Sequence, residues 1–301
     1  MNFIRDYSLY IGWSDKDKRE GILVKNLNIE FEVKKVVSNN ITPSVSKISI
    51  YNLNRNHSAA LQGESVDIRL LVGYVGKPLA EVCLGRAKEV RTTKNGNDII
   101  TEIVVAEGFS ILNNTSVFGT IPSGKTVADV IKHVANEAGM VIDEISGKET
   151  ESKLLWGYPV EGTPKQILEE ICYSYRLDYT INSNRLTVKA SGQPSTTRKP
   201  CLILNEDTGL LGIPEADYWK ETYYRPAEKE GGKAKKARRA VDGVKLRALI
   251  DASVSPGEIV QLSRKKDDEI PDGYYYVVEA DYNGQLYGST WEMNLRCIRI
   301  E

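Results

Sequence analysis

Residues 43–54 read Pro43-Ser44-Val45-Ser46-Lys47-Ile48-Ser49-Ile50-Tyr51-Asn52-Leu53-Asn54, and this stretch sets the fold class. Ile48 and Ile50 alternate with Lys47 and Ser49, the two-residue period of a strand buried on one face. Asn52-Leu53-Asn54 then supplies a turn, because Asn tolerates the backbone conformations that turns require. Upstream, Leu27-Asn28-Ile29-Glu30-Phe31-Glu32-Val33-Lys34 alternates without a break. Downstream, Val66-Asp67-Ile68-Arg69-Leu70 alternates and runs on to Val72-Gly73-Tyr74. Alternating runs joined by short turns predict antiparallel strands, each with one buried face.

Further out, the pattern predicts strands at Glu81–Arg91 and Ile99–Glu107, with Asn95-Gly96 as the hairpin turn between them. Leu9–Ile11 and Gly21–Leu23 predict a leading hairpin with a charged tip at Ser14–Glu20. Residues 1–113 therefore form a first β domain, a barrel or sandwich whose polar face is solvated or lines something wet. The period changes over 114–196. Val127, Val130, Ile131, Val134 and Ala138 follow a helical stripe after Thr126, with Asp129 three residues on and Gly139 at the stop. A second helix opens with Thr163 as N-cap, Pro164 at the first position and Gln166 at the third. Short strands are expected at Met140–Ile142, Leu177–Ile181 and Leu186–Val188, so the region reads as a weak duplication of strand, turn, helix and strand. Ser191–Thr197 is a linker by composition. Residues 197–301 return to β, with strands at Cys201–Leu204, Tyr218–Tyr224, Val244–Ile250, Ile259–Leu262, Tyr274–Val278 and Thr290–Ile298. A basic loop at 225–242 interrupts them. The expected fold is mainly β with a small α/β insert.

Composition excludes several classes. Forty basic against 41 acidic residues leave no bulk charge to recruit nucleic acid or an anionic membrane. There is no apolar run near the length of a membrane span, and the first residues lack the plan of a signal peptide. Cys83, Cys172, Cys201 and Cys297 are widely spaced and predict reduced, buried thiols in a protein made in a cytoplasm. His57 and His133 are too few for a histidine-based metal site.

Gly119-Thr120-Ile121-Pro122-Ser123-Gly124-Lys125-Thr126 matches the phosphate-loop pattern in full, and a helix follows it. Such a loop would place Lys125 on terminal phosphates and Thr126 on magnesium. A working loop also needs a buried strand before it, and Asn113-Asn114-Thr115-Ser116 is polar. The expected reading is a turn plus an N-cap, with a P-loop NTPase as the alternative. Lys229, Lys233, Lys235, Lys236, Arg238 and Arg239 could track a nucleic-acid backbone, but no aromatic residue interleaves to stack bases, so a solvated loop is expected. Glu169 and Glu170 are adjacent and do not share a helix face, and Asp267-Asp268-Glu269 lies in a charged turn. No residue is assigned a catalytic, cofactor-binding or metal-ligating role.

An apolar strand closing on Ile50-Tyr51-Asn52-Leu53-Asn54, a strand ending in Gly73-Tyr74, Gly209-Leu210 with Pro214-Glu215, Pro256-Gly257-Glu258 and Trp291 together resemble phage tail baseplate hub proteins. The resemblance implies two tail-tube-like β domains flanking the α/β region, and no enzymatic activity or cofactor. It implies a homotrimer in the virion tail baseplate, made in the host cytoplasm. That trimer would adapt a hexameric tail tube to a trimeric central spike, contact the tape measure protein and meet genome DNA only in passage. A cell-wall-binding or cell-wall-degrading tail module is a further alternative, resting on the helix-strand middle region.

Overall fold

The computed structural model describes residues 4–13, 21–37, 45–62, 66–106, 115–182, 185–191, 193, 201–225, 235–264 and 270–300. The N-terminal part runs β1 (Arg5–Trp13), β2 (Ile22–Val24), β3 (Ile29–Val36), β4 (Val45–Tyr51), α1 (Arg55–Ala60), β5 (Val66–Tyr74), β6 (Ala80–Asn95) and β7 (Asp98–Ala106). The predicted alternation becomes burial directly: along β3, Ile29, Phe31 and Val33 face the core while Glu30, Glu32 and Lys34 face away. The tip at 14–20 lies outside the described residues.

The insert runs β8 (Val117–Ile121), α2 (Val127–Glu137), β9 (Val141–Ile145), β10 (Tyr158–Gly162), α3 (Pro164–Ser174), β11 (Leu177–Asn182) and β12 (Arg185–Ala190). Strand, helix and strand thus occur twice, as the sequence predicts. Both helices open on complete capping boxes, Thr126 with Asp129 and Thr163 with Gln166. β8 pairs antiparallel with β10, and β9 joins β12 in parallel beside β11. The insert has its own core, including Val130, Ile131, Val134, Ile167, Leu168 and Ile171.

The C-terminal part runs β13 (Leu202–Leu204), β14 (Glu215–Arg225), β15 (Lys235–Leu249), β16 (Ile259–Leu262), β17 (Gly273–Gln285) and β18 (Trp291–Arg299). Here the basic stretch departs from expectation. Residues 235–242 continue β15, in register with β14 out to Arg225 opposite Lys235. The reason is that a strand needs only a partner backbone, and the aromatic, β-favouring run Tyr218-Trp219 with Tyr223-Tyr224 supplies one. Residues 226–234, with Lys229 and Lys233, lie outside the described residues, as do most of the 191–197 linker and Asp267–Glu269.

The two β regions flank the insert in sequence but share one sheet. Its main path is β14-β15-β18-β17-β3-β4-β7-β6-β5-β1-β2, and no barrel closes among the described residues. β17 joins β3 at the middle, and one core contains Ile29, Phe31, Ile48 and Ile103 together with Leu246, Tyr282, Met293 and Leu295. Arg5 ties the first strand to the last hairpin by donating to the carbonyls of Gln285 and Gly288 at 2.6 Å.

The central eight strands are a repeat. The N-terminal half contributes β3-β4-β7-β6 and the C-terminal half β14-β15-β18-β17. Counted along the chain, each half is ordered first, second, fourth, third, with every pair antiparallel. Each third strand, β6 or β17, also pairs with an outlying strand that precedes it, β5 or β16. Each carries a register shift just past that pairing, between Ala87 and Glu89 and between Val277 and Glu279. Aligning the two shifts aligns one cross-strand row, Glu32-Lys47-Val104-Glu89 in one half and Glu215-Lys245-Arg296-Glu279 in the other.

Candidate functional site: the charged face of the long sheet

Side chains on the face away from the core come from all eight central strands, because residues directly opposite one another project to the same side. Arg296 stands at the centre of the C-terminal half. Its Nε donates to Asp217 Oδ2 at 2.6 Å and its Nη1 to Glu279 Oε2 at 3.1 Å, while its guanidinium lies 5.1 Å from the Trp219 ring. Lys245 reaches Asp217 Oδ1 at 3.3 Å, and Arg247 reaches Glu292 at 3.1 Å. Lys34 crosses the seam between the halves to Glu279 and to Asp281, the latter at 3.8 Å. In the N-terminal half Lys47 pairs with Glu102 at 2.9 Å, and the Tyr51 hydroxyl donates to Glu30 at 3.0 Å. A cleft of about 500 Å³ opens here between Lys34, Ile213, Lys245, Asp281 and Arg296.

Burial holds the Asp281 carboxyl above the usual carboxylate range, against the pull of Lys34. Burial presses the Lys34 ammonium down, but its hydrogen bond to Glu279 and the charge of Asp281 outweigh that, so it is raised. The face is thus charged, with each of these cations placed against a carboxylate. Among the described residues, a polyanion meets few uncompensated positive charges on it.

The residues singled out in the sequence hold the scaffold of this face. Asn52 adopts a left-handed conformation at φ 57°, accepts from Ile99 N at 2.9 Å and donates to Asp98 at 2.8 Å, locking β4 to the start of β7. Asn54 caps α1 by accepting from Asn56 N, and Leu53 is buried. Leu210 bridges to Ala248 beside Gly209, whose φ of 111° needs a glycine and whose carbonyl accepts from Leu249 N. Gly257 receives Lys189 Nζ at 2.5 Å, tying the insert to the C-terminal strands. Trp291 packs edge-on against Phe31 at 5.4 Å across the seam.

The phosphate-loop pattern has a structural explanation at Gly119, Gly124 and Thr126. Gly119 lies within β8, where a Cβ would fall 2.5 Å from His133 Nε2. Gly124 has φ +82° and donates to the Leu154 carbonyl at 2.8 Å. Val127 N donates to the Ser152 carbonyl, and Thr126 N to Asp129 Oδ2. Thr126 Oγ1 accepts from Asp129 N. These N–H groups that a phosphate would need are spent on the protein itself. Glu169 pairs with Lys165 one turn earlier, as on a solvated helix face. Of the four cysteines, Cys83, Cys172 and Cys297 are buried as predicted, but Cys201 is exposed, because it precedes the short β13 rather than lying within a packed strand. Sequence reasoning missed α1, the β8–β10 pair and the repeat.

No family model matches the sequence, and no curated protein matches it. Solved structures do match. The 43 kDa tail protein of prophage MuSo2 from Shewanella oneidensis is 10% identical with a TM-score of 0.64, over 98% of this chain and 98% of that one. A tail protein from Neisseria meningitidis is 12% identical with a TM-score of 0.62, over 98% of this chain and 97% of that one. An E. coli component of the type VI secretion system, described as structurally similar to T4 bacteriophage tail proteins, is 10% identical with a TM-score of 0.58, over 91% of this chain and 74% of that one. At these identities the likeness is one of fold. The chain has the fold of phage tail proteins, a fold it shares with that secretion-system component.

Proposed function

We propose that the chain is a structural hub of a phage tail baseplate, or of a related contractile injection machine, and that three copies join a hexameric tail tube to a trimeric central spike. The repeated four-stranded unit carries this reading. Three chains with two units each offer six units to a hexameric tube, while the assembly keeps threefold symmetry for the spike. Each unit is then one tube-like domain, drawn from 1–113 and from 197–301, with 114–196 as the insert. The charged face lines the channel, where its internal ion pairs let DNA pass without holding it.

The partners are the tail tube, the spike, the tape measure protein and two further copies of this chain, in the virion tail after synthesis in the host cytoplasm. The role is mechanical rather than catalytic. Support comes from a phosphate-loop match whose N–H groups are already used and from paired carboxylates that face lysine and arginine rather than each other. Native mass spectrometry over a concentration series, with chain counting in isolated tails, tests the reading. A trimer is expected in one or both. A chain that stays single at high concentration, in tails that also lack a trimer, refutes it.

A further inference from the structure

The repeat makes the seam inside the chain a template for a seam between copies. At the internal seam, β17 from Glu279 to Gln285 pairs with β3, the first strand of the other unit, placing Glu279 opposite Val36, Asp281 opposite Lys34 and Asn283 opposite Glu32. The equivalent segment of β6 is Glu89–Asn95. The pairing of β6 with the outlying strand β5 ends at Arg86, so past that point β6 pairs only with β7 among the described residues. The other end of the row is β14, which among the described residues pairs only with β15. One chain therefore ends in the same two kinds of edge that it joins at its own centre.

We infer that β6 of one copy pairs antiparallel with β14 of a second copy in the register of the internal seam, with Glu89 opposite Trp219, Arg91 opposite Asp217 and Thr93 opposite Glu215. The inference rests on the hub reading for the number of copies; the choice of edges and the register come from the repeat alone.

Charge supports the choice. The internal seam matches acidic Asp281 with basic Lys34, whereas the external seam matches basic Arg91 with acidic Asp217. Because the polarity is inverted, the wrong combinations fail: β17 against β14 sets Asp281 on Asp217, and β6 against β3 sets Arg91 on Lys34. Asp217 is already fixed by Arg296 and Lys245, and a carboxylate has lone pairs left for a third donor. Arg91 and Glu215 are exposed in the single chain, as open-edge residues must be. An unpaired edge is otherwise a liability for a soluble chain, and pairing with a second copy removes it.

The test is cysteine crosslinking in the full chain carrying Cys201→Ser, which removes the exposed thiol. Thr93→Cys with Glu215→Cys is the matched pair. Glu89→Cys with Glu215→Cys is slipped by four residues, roughly 13 Å along a strand. Asn283→Cys with Glu32→Cys reports the same geometry inside one chain. A thiol-reactive crosslinker shorter than that slip is applied at concentrations where the native mass is known. The expected result is a covalent ladder between chains for the matched pair, several-fold stronger than for the slipped pair, and an intramolecular link for the internal pair. A trimer by native mass with no preference for the matched pair overturns the proposed seam and leaves the hub reading standing. A chain that neither links nor associates, in solution or in isolated tails, while the internal pair closes, overturns both.

Discussion

Gly284→Ala tests the seam on which the repeat turns. Gly284 sits on β17 directly opposite Phe31 of β3. A Cβ built there falls 2.2 Å from Phe31 Cζ and 2.3 Å from Cε1. The ring cannot swing away, since Phe31 is 5% exposed and packs edge-on against Trp291. By strand propensity alone the change would stabilise by about 0.5–1 kcal/mol, because glycine loses more freedom on folding than alanine. Overpacking a filled core costs about 1–3 kcal/mol, and disturbing the aromatic pair adds about 0.5–1.5 kcal/mol. The net expectation is a loss of about 0.5–4 kcal/mol, opposite in sign to the propensity argument. Urea denaturation reads it as a lower midpoint at unchanged slope. Adding Phe31→Leu to Gly284→Ala should recover part of the loss relative to Phe31→Leu alone, since the two residues are in contact and couple. A neutral or stabilising Gly284→Ala, or strict additivity in the double variant, refutes the reasoning.

Thr126→Ala removes the capping hydroxyl of α2 and should cost about 1 kcal/mol in thermal or urea unfolding. Lys125→Ala should stay within about 0.5 kcal/mol, and calorimetry with magnesium and ATP should give no binding in either form; micromolar binding abolished by Lys125→Ala would restore the nucleotide reading. Arg296→Met leaves Asp217 and Glu279 facing each other's charge and should cost about 1–3 kcal/mol by urea unfolding. Asp281 is raised by burial, so the folded chain holds that proton at higher pH than the unfolded one. Its contribution to stability therefore grows as pH falls through the folded value and is lost above it. The stability of the unmodified chain relative to Asp281→Asn should rise as pH is lowered from about 7 toward the carboxylate range. A difference flat across that range would refute the assignment.

The strands of the N-terminal region were legible because one face of each is buried, so Ile29-Phe31-Val33 and Ile48-Ile50 carry the period openly. The two helices were legible for a more local reason: each capping box is written within four residues. The β14–β15 hairpin was hidden because its far half is rich in lysine and arginine and lacks that period, so composition pointed to a loop while the backbone register did not. The β8–β10 pair was hidden because Gly119, Thr120 and Pro159 read as turn residues. The charged face was present in the sequence only as the polar half of each alternation. Which charges meet across strands follows from register, and single-sequence patterns fix register weakly. The repeat escaped notice for the same reason: its shared row spans four strands scattered over most of the chain.

Electron cryomicroscopy of the isolated tail tip tests the central claim most directly. The account predicts three copies of this chain around the axis, their repeated units giving quasi-sixfold density, with Lys47, Lys245 and Arg296 facing the channel. Six copies in the ring, or three copies with that charged face turned outward, would contradict it.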